Sequence, residues 1–520
     1  MTWPQAQYLS TRVHDSDDPL LSIWRLSWIA HVLPRSPDDL LNGNIFYPET
    51  RTLAYTDSVL LQGMAAAPFI WAGLSPVAVY NVVLLASIAL SGWAMYLYAL
   101  RLTGNTAGSV LAGIIFAFVP YRFDHYHHLE LQAAMFMPLT LLALEHALER
   151  RTRESAALLV AAFVGQVYSG IYYAIFLGTA LLVIVPLRLR LLDRDSRLAL
   201  LRAAGPPVLL GIMVVVPYLL AYIGNRGTLG ERNDREVQLY SATWLNYLAA
   251  TPDNLTHGSW SSALGENERR LFPGGLAAAL ALAGALGRRG RQKVTLVIAG
   301  AIGMFISFGL NNPLYEPLRD VLFTYRGLRA PARASILFFL AIAGLAAVSY
   351  ARIDRRLPRF TKSLVATALA AGLLFEYQTR MDSWLTLPAS PPQVYRWLAT
   401  QPRSVVFEVP VAKSDELYRI PDGQYMFYAT YHWQPILNGY SGFVPRSYIE
   451  LLEEVHTFPG DASIEYLKRR GVDIIVIHGS LMEPAEYGAI TAALVARPDV
   501  QAMAQFDETR GSDMVFRLLR

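Results

Sequence analysis

The chain has 520 residues and a formal net charge of +4; 53% of its residues are hydrophobic, 12% aromatic and only 17% charged. With a mean hydropathy of +0.29, so long and so weakly charged a chain is not an ordinary soluble multidomain protein, and no basic–aromatic surface of a nucleic-acid binder stands out. Cysteine is absent, which excludes a disulfide framework, a thiolate zinc site and an iron–sulfur cluster, so any metal is held by oxygen or imidazole.

The first informative stretch is His14-Asp15-Ser16-Asp17-Asp18-Pro19. Three carboxylates within four residues repel one another unless they are hydrated or share a cation. Asp18 followed by Pro19 also suits a helix start, because Asp is a favoured N-cap and Pro a favoured first residue. Residues 20–33 place Trp24 and Trp28 four apart, on one face, as in a helix lying at a membrane interface. Asp57 lies in Thr56-Asp57-Ser58, which is able to cap the apolar segment 58–74. That segment carries Pro68, and Gly73 and Pro76 follow, so it reads as an interfacial or re-entrant helix. Asp15, Asp18 and Asp57 are the candidate catalytic acids; as oxygen ligands, Asp18 and Asp57 suit Mg2+ or Mn2+, and as bases they suit a hydroxyl.

Ten apolar stretches follow, at 76–100, 105–119, 130–148, 156–168, 171–187, 204–223, 272–287, 294–309, 334–350 and 363–379. Several are shorter than the ~20 residues of a standard span. Arg150, Arg151 and Arg153 follow the third, Arg188 and Arg190 the fifth, Arg288, Arg289 and Arg291 the seventh, and Arg352, Arg355 and Arg356 the ninth. These alternate loops share one side, which the positive-inside rule makes cytoplasmic. The N-terminus, the loop 224–271 and the last 141 residues are then outside, in a multi-pass protein of the plasma (inner) membrane. Residues 1–57 contain neither an apolar secretory segment nor a first span, so an outer N-terminus predicts an additional helix ahead of this start in the natural chain.

Two outer loops carry candidate phosphate donors. Tyr121-Arg122-Phe123-Asp124-His125-Tyr126-His127-His128 joins two spans, and Arg122 with His125 or His128 suits a lipid phosphate. Interfacial packing accounts for the same residues, and a zinc site lacks a fourth-ligand pattern. Arg326-Gly327-Leu328-Arg329-Ala330-Pro331-Ala332-Arg333 breaks the positive-inside bias. Arg329 and Arg333 there suit either anionic headgroups or a phosphorylated substrate. Ionisable residues at mid-depth are scarce, Glu145 and Glu376 lying near helix ends, which argues against a proton-coupled transporter. Beyond a linker at Pro388, Pro391 and Pro392, the strand-like runs 404–410 and 472–479 alternate with amphipathic segments such as SIEYLKRRG. That pattern predicts a small α/β domain outside the membrane. The domain plan is thus an acidic outer segment (1–75), a transmembrane helical domain (76–379) and an extracytoplasmic α/β domain (380–520).

In layout and in the stretches DSDDPLLSIWRLSWIAHVL, NIFYPETRTLAYTDSVLL, FAFVPYRFDHYHHLELQ, ERRLFPG, GLRAPAR and YHWQPILNGYSGFVPRSY, the chain resembles the GT-C superfamily of polytopic glycosyltransferases. Nearest are bacterial aminoarabinose- and mannosyltransferase-like members and YfhO-like proteins. The resemblance implies an inverting glycosyltransferase that takes a sugar from a polyprenyl-phosphate donor and delivers it to a glycan, lipid or protein acceptor outside the membrane. It gives Asp18, with Asp15, the role of the first-loop aspartate, and Asp57 that of a second acidic position. It also implies membrane-lipid contact and a divalent cation. The superfamily's first transmembrane helix, which precedes the acidic loop, has no counterpart here. A non-catalytic protein that binds or translocates a lipid-linked sugar is the alternative.

Overall fold

The computed structural model describes residues 2–286, 290–411, 421–508 and 511–519. Two compact units emerge: Met1–Gln7, Val82–Leu219 and Glu231–Ser383 form one, and Tyr8–Asn81, Leu220–Gly230 and Trp384–Arg520 the other.

The first unit is helical, and every predicted apolar stretch falls on a helix. Among the described residues, six helices are long and apolar enough to cross a membrane: Pro76–Thr103, Thr106–Asp124, Leu129–Arg150, Ile171–Arg190, Arg194–Leu229 and Pro331–Asp354, the second, third, fifth and sixth with short helical turns included. The stretches at 156–168, 272–287, 294–309 and 363–379 correspond to the shorter or more charged helices Arg153–Ser169, Gly275–Leu286, Arg291–Ser307 and Arg359–Glu376. Residue 287 and the predicted basic positions Arg288 and Arg289 lie outside the described residues. The Ser335–Asp354 helix is the hub, buried along almost its whole length. Small residues let backbones approach it: a Cβ at Gly284 meets the Leu345 carbonyl, and one at Gly303 would come within 2.7 Å of the Ala334 carbonyl. In lipid, such contacts replace the missing hydrophobic drive between helices.

The second unit combines the first outer segment with the C-terminal domain. Strand β1 (Arg12–His14) pairs antiparallel with β2 (Trp384–Thr386). The predicted runs 404–410 and 472–479 become β3 (Val406–Val409) and β4 (Ile474–His478), and SIEYLKRRG lies on the helix Asp461–Arg469. With β5 (Val500–Glu508) and β6 (Gly511–Leu518) they form a sheet in the order β3-β4-β6-β5. Within that sheet β3 and β4 pair in parallel, and β4–β6 and β5–β6 are antiparallel.

Two expectations for the outer segment are corrected. The helix runs Asp17–Val32 with Ser16 at its N-cap, so Asp18 sits inside the first turn and is not the cap. Protein covers the helix face that carries both tryptophans. Trp24 and Trp28 are buried and stack at 6.3 Å, because the helix packs against Leu60–Trp71 and Asp422–His432. Trp24 Nε1 donates to Asn44 Oδ1 at 2.9 Å, and Trp28 Nε1 to the Leu40 carbonyl at 3.0 Å. Likewise, the N-cap of the helix Leu60–Trp71 is Val59, which makes no side-chain cap bond, rather than a residue of Thr56-Asp57-Ser58.

The C-terminal sheet encloses charge. His478 Nε2 lies 3.0 Å from Glu408 Oε2, and its Nδ1 3.2 Å from Asp513 Oδ1. Burial would lower the imidazole pKa, but hydrogen bonds to Asp513 and Glu408 push it up to about 9. A group with a raised pKa contributes stability fully below its unfolded value near 6.5, and that stability is lost as pH rises through 9. Asp422 acts in the same direction: burial, against hydrogen bonds from Tyr448 and Asn438, pushes it up to about 7. Its contribution is present below 3.8 and lost as pH rises through 7. The melting temperature of the sheet domain is therefore expected to fall on going from pH 6 to beyond pH 9. Calorimetry across that range checks it, and a rising midpoint contradicts the assignment.

Candidate functional site

In the helical unit, the chain after Phe118 cannot continue its helix, because Val119 is extended and Pro120 opens a new short helix, Pro120–Asp124. His125 follows at the end of that turn. Its Nδ1 donates to the Tyr121 carbonyl at 2.9 Å, and its Nε2 lies 2.6 Å from Glu268 Oε2. Arg333 Nε donates to the same Oε2 at 2.9 Å, and Arg333 Nη2 donates to Glu268 Oε1, closing a bidentate fork. Glu268 is almost fully buried. Burial would raise its pKa, but Arg333 and His125 outweigh it and hold the carboxyl well below the usual range.

Arg329 stands at the edge of this cluster. Its Nη2 is 4.0 Å from Glu268 Oε1 and its Nε 3.9 Å from Glu236 Oε1, so its guanidinium closes on neither carboxylate. It lies 5.3 Å above the Tyr240 ring, and its backbone N–H donates to the Tyr172 hydroxyl at 2.8 Å. Arg333 in turn lies 5.1 Å above Tyr172. A second ion pair, Arg270 with Asp124 at 3.0 Å, ties the segment 231–274 to the 120–124 turn.

Of the predicted phosphate donors, the structure thus brings His125, Arg329 and Arg333 together. Arg122 lies elsewhere: it is buried, and it donates to the Gln132 side chain and carbonyl, to Ser91 Oγ at 3.4 Å and to the Phe116 carbonyl at 3.5 Å. His128 Nδ1 sits 3.5 Å from Glu130 Oε1, its ring 4.3 Å from that of His127. Glu268 is the functional residue that sequence reasoning missed. It opens ERRLFPG, yet a single acid in a polar loop carries no periodic or spacing signal of its own.

The acidic segment belongs to the second unit. Asp15 takes a left-handed backbone (φ +74°), which Asp tolerates better than most residues, and its Oδ1 accepts the Ser16 N–H at 2.6 Å. Ser16 Oγ donates to Asp17 Oδ1 at 3.2 Å. Burial, with Asp15 and Asp18 nearby, raises the Asp17 pKa against the bond from Ser16. Asp18 Oδ1 accepts the Tyr440 hydroxyl at 3.4 Å. Both Asp17 and Asp18 sit in the first helical turn, where the helix dipole favours negative charge. Asp57 is buried, and its main-chain carbonyl accepts from Arg25 Nη1, seven residues and about 10 Å along the same helix from Asp18.

A family model described as "Domain of unknown function (DUF6311)" matches residues 35–311, more than half of the chain. The chain belongs to the DUF6311 family. No curated protein matches this DUF6311 chain. Among solved structures it is similar to the arabinofuranosyltransferase AftD from Mycobacteria, at 14% identity and a TM-score of 0.63. That alignment covers 98% of this chain and 41% of the other, so the chain spans less than half of that enzyme's length. It is also similar to ArnT from Cupriavidus metallidurans bound to undecaprenyl phosphate, at 13% identity and a TM-score of 0.50, covering 98% of this chain and 95% of that one. At these identities the likeness is one of fold. The DUF6311 chain has the α-helical, multi-pass GT-C fold of membrane glycosyltransferases, with a small C-terminal sheet domain.

Proposed function

We propose that the chain is a membrane glycosyltransferase that moves a sugar, with inversion, from a polyprenyl-phosphate donor to an acceptor hydroxyl outside the membrane. The observation that carries this reading is Arg329: a guanidinium closed on neither neighbouring carboxylate, beside the filled Arg333–Glu268–His125 cluster, in a fold shared along 98% of the chain with a membrane glycosyltransferase. One such neighbour was solved with undecaprenyl phosphate, which supports a polyprenyl-phosphate carrier here.

In the helical unit, Arg329 takes the donor phosphate with its planar fork. Arg333 and His125 hold Glu268 and thereby position the loop that carries Arg329, while Arg122 braces the turn before His125. In the other unit, Asp18 accepts the proton of the acceptor hydroxyl as its oxygen attacks the anomeric carbon and the sugar–phosphate bond breaks. Asp15 shapes the turn ahead of Asp18. The crowded carboxylates at the start of the Asp17–Val32 helix form an all-oxygen donor set of the kind that suits Mg2+ or Mn2+. An ion held by the carboxylates at this helix start, Asp18 among them, would neutralise charge on the departing phosphate; Asp57, beside Arg25 about 10 Å along the helix, would not share it.

Arg329→Ala is expected to weaken donor binding by about 1.5–3 kcal/mol, the range for hydrogen bonds to charged groups. Arg329→Lys should recover only part of it, because a point charge cannot reproduce the bidentate fork. Titration of a synthetic polyprenyl-phosphate sugar into wild type and both variants in neutral detergent decides the matter. Unchanged affinity in both removes Arg329 from the donor site.

A further inference from the structure

Two carboxylates border the Arg329 guanidinium: Glu236 Oε1 lies 3.9 Å from its Nε, and Glu268 Oε1 4.0 Å from its Nη2. All three residues belong to the helical unit. The two acids are held differently. Glu268 is buried and locked by the Arg333 fork. Glu236 stands on the short helix Asp234–Leu239, and its side chain is 27% exposed. Arg232 Nη1 donates to both of its oxygens at 3.4 Å, longer than the usual charge-assisted bond. The Tyr240 ring, 5.3 Å from the Arg329 guanidinium, covers one side of it without adding charge. The charge around an anion on Arg329 is thus set by the cation itself and by the two acids beside it.

Transfer changes the charge of the lipid phosphate. The bond between the anomeric carbon and the phosphate oxygen breaks, and its electron pair stays on that oxygen. The acceptor oxygen bonds to the sugar, and its proton goes to the base. A donor diester with one negative charge therefore becomes a prenyl monophosphate with two. One guanidinium matches the diester. A second negative charge on the same phosphate meets Glu236 and Glu268, while the next cation, Arg333, is already closed on Glu268. Repulsion over a few ångströms in a half-buried site is stronger than in water. We infer that Glu236 sets the charge selectivity of this site: it admits a lipid phosphodiester with one negative charge and disfavours the dianionic monoester, so that the spent carrier leaves. The inference rests on the donor-site reading of Arg329 and gives a role to a carboxylate which that reading leaves out.

The probes are farnesyl monophosphate and its methyl diester, which share one lipid tail and differ by one charge at pH 8, well above the monoester's second pKa of about 6. Isothermal titration measures the affinity of each for the full-length protein in neutral detergent. Wild type should bind the diester roughly threefold more tightly than the monoester. Glu236→Gln removes the charge and keeps the shape. It should tighten the monoester about tenfold and the diester about threefold, in proportion to ligand charge. In wild type, raising salt from about 0.05 to about 0.5 M should shrink the preference, because screening weakens the repulsion. That arm needs no variant and decides the matter should Glu236→Gln not fold. Equal gains for both probes in Glu236→Gln would make Glu236 a mere obstacle, and losses for both would make it a ligand contact. Either result overturns the inference while leaving Arg329 in place, as does a wild-type preference for the monoester or one that salt leaves unchanged. Unchanged affinity for both probes in Arg329→Ala strikes the donor-site reading itself, and this inference with it.

Discussion

Glu268→Ala is expected to destabilise the protein by about 3–5 kcal/mol, the cost of removing one partner from a buried charge cluster. Arg333 would lose both acceptors of its fork, and His125 the acceptor at Nε2. Two buried donors that have no route to water would be left facing each other. Glu268→Asp keeps the charge but shortens the reach, so its loss should be smaller. Thermal unfolding of the purified variants in one detergent measures both. A loss under about 1 kcal/mol, the level of a solvated surface pair, would show the cluster to be open to water. Arg333→Ala should resemble Glu268→Ala in stability, whereas Arg329→Ala should leave stability nearly intact and act on donor binding. That split separates the residue that holds the loop from the one assigned to the ligand.

Asp18→Asn is expected to lower turnover by about 10²–10⁴-fold, the usual contribution of a general base, with donor affinity little changed. The substitution is informative because Asn keeps an acceptor oxygen for the Tyr440 hydroxyl and loses only the charge and the basicity. Stability should shift by no more than about 0.5 kcal/mol, as for ordinary surface changes. Asp57→Asn is the companion: the Arg25 contact goes to the main chain and survives it. If Asp18→Asn kept near-normal turnover, the carboxylate would serve only the first turn of its helix. The base would then have to be sought elsewhere.

What could be read in the sequence follows from where physical signals are local. Long apolar runs interrupted by basic clusters report on helices by themselves, and all ten fall on helices in the structure. Alternating β-branched residues in 404–410 and 472–479 likewise announce β3 and β4. The pairing of residues 12–14 with 384–386 is another matter, since two three-residue strands nearly the whole chain apart have no periodicity to show. Trp24 and Trp28 share one face, as their spacing requires, but a hydrophobic face does not say whether lipid or protein covers it. Here the helix Asp422–His432 does, from 400 residues downstream. The same limit hid Glu268. Its partners His125 and Arg333 are 143 and 65 residues away, and only the fold reveals that the acceptor facing those two side chains is the protein's own carboxylate.

The measurement closest to the central claim is transfer by the purified protein itself. A synthetic polyprenyl-phosphate donor with a radiolabelled sugar is incubated with wild type and Asp18→Asn, with and without Mg2+ or Mn2+, and a panel of glycan, lipid and peptide hydroxyl acceptors. The account predicts that label leaves the lipid in the wild type, with inverted configuration in the product, and stays on it in Asp18→Asn while donor binding persists. Tight donor binding with no loss of label under any acceptor or metal condition would contradict it, and would make the chain a binding or translocating protein for lipid-linked sugars.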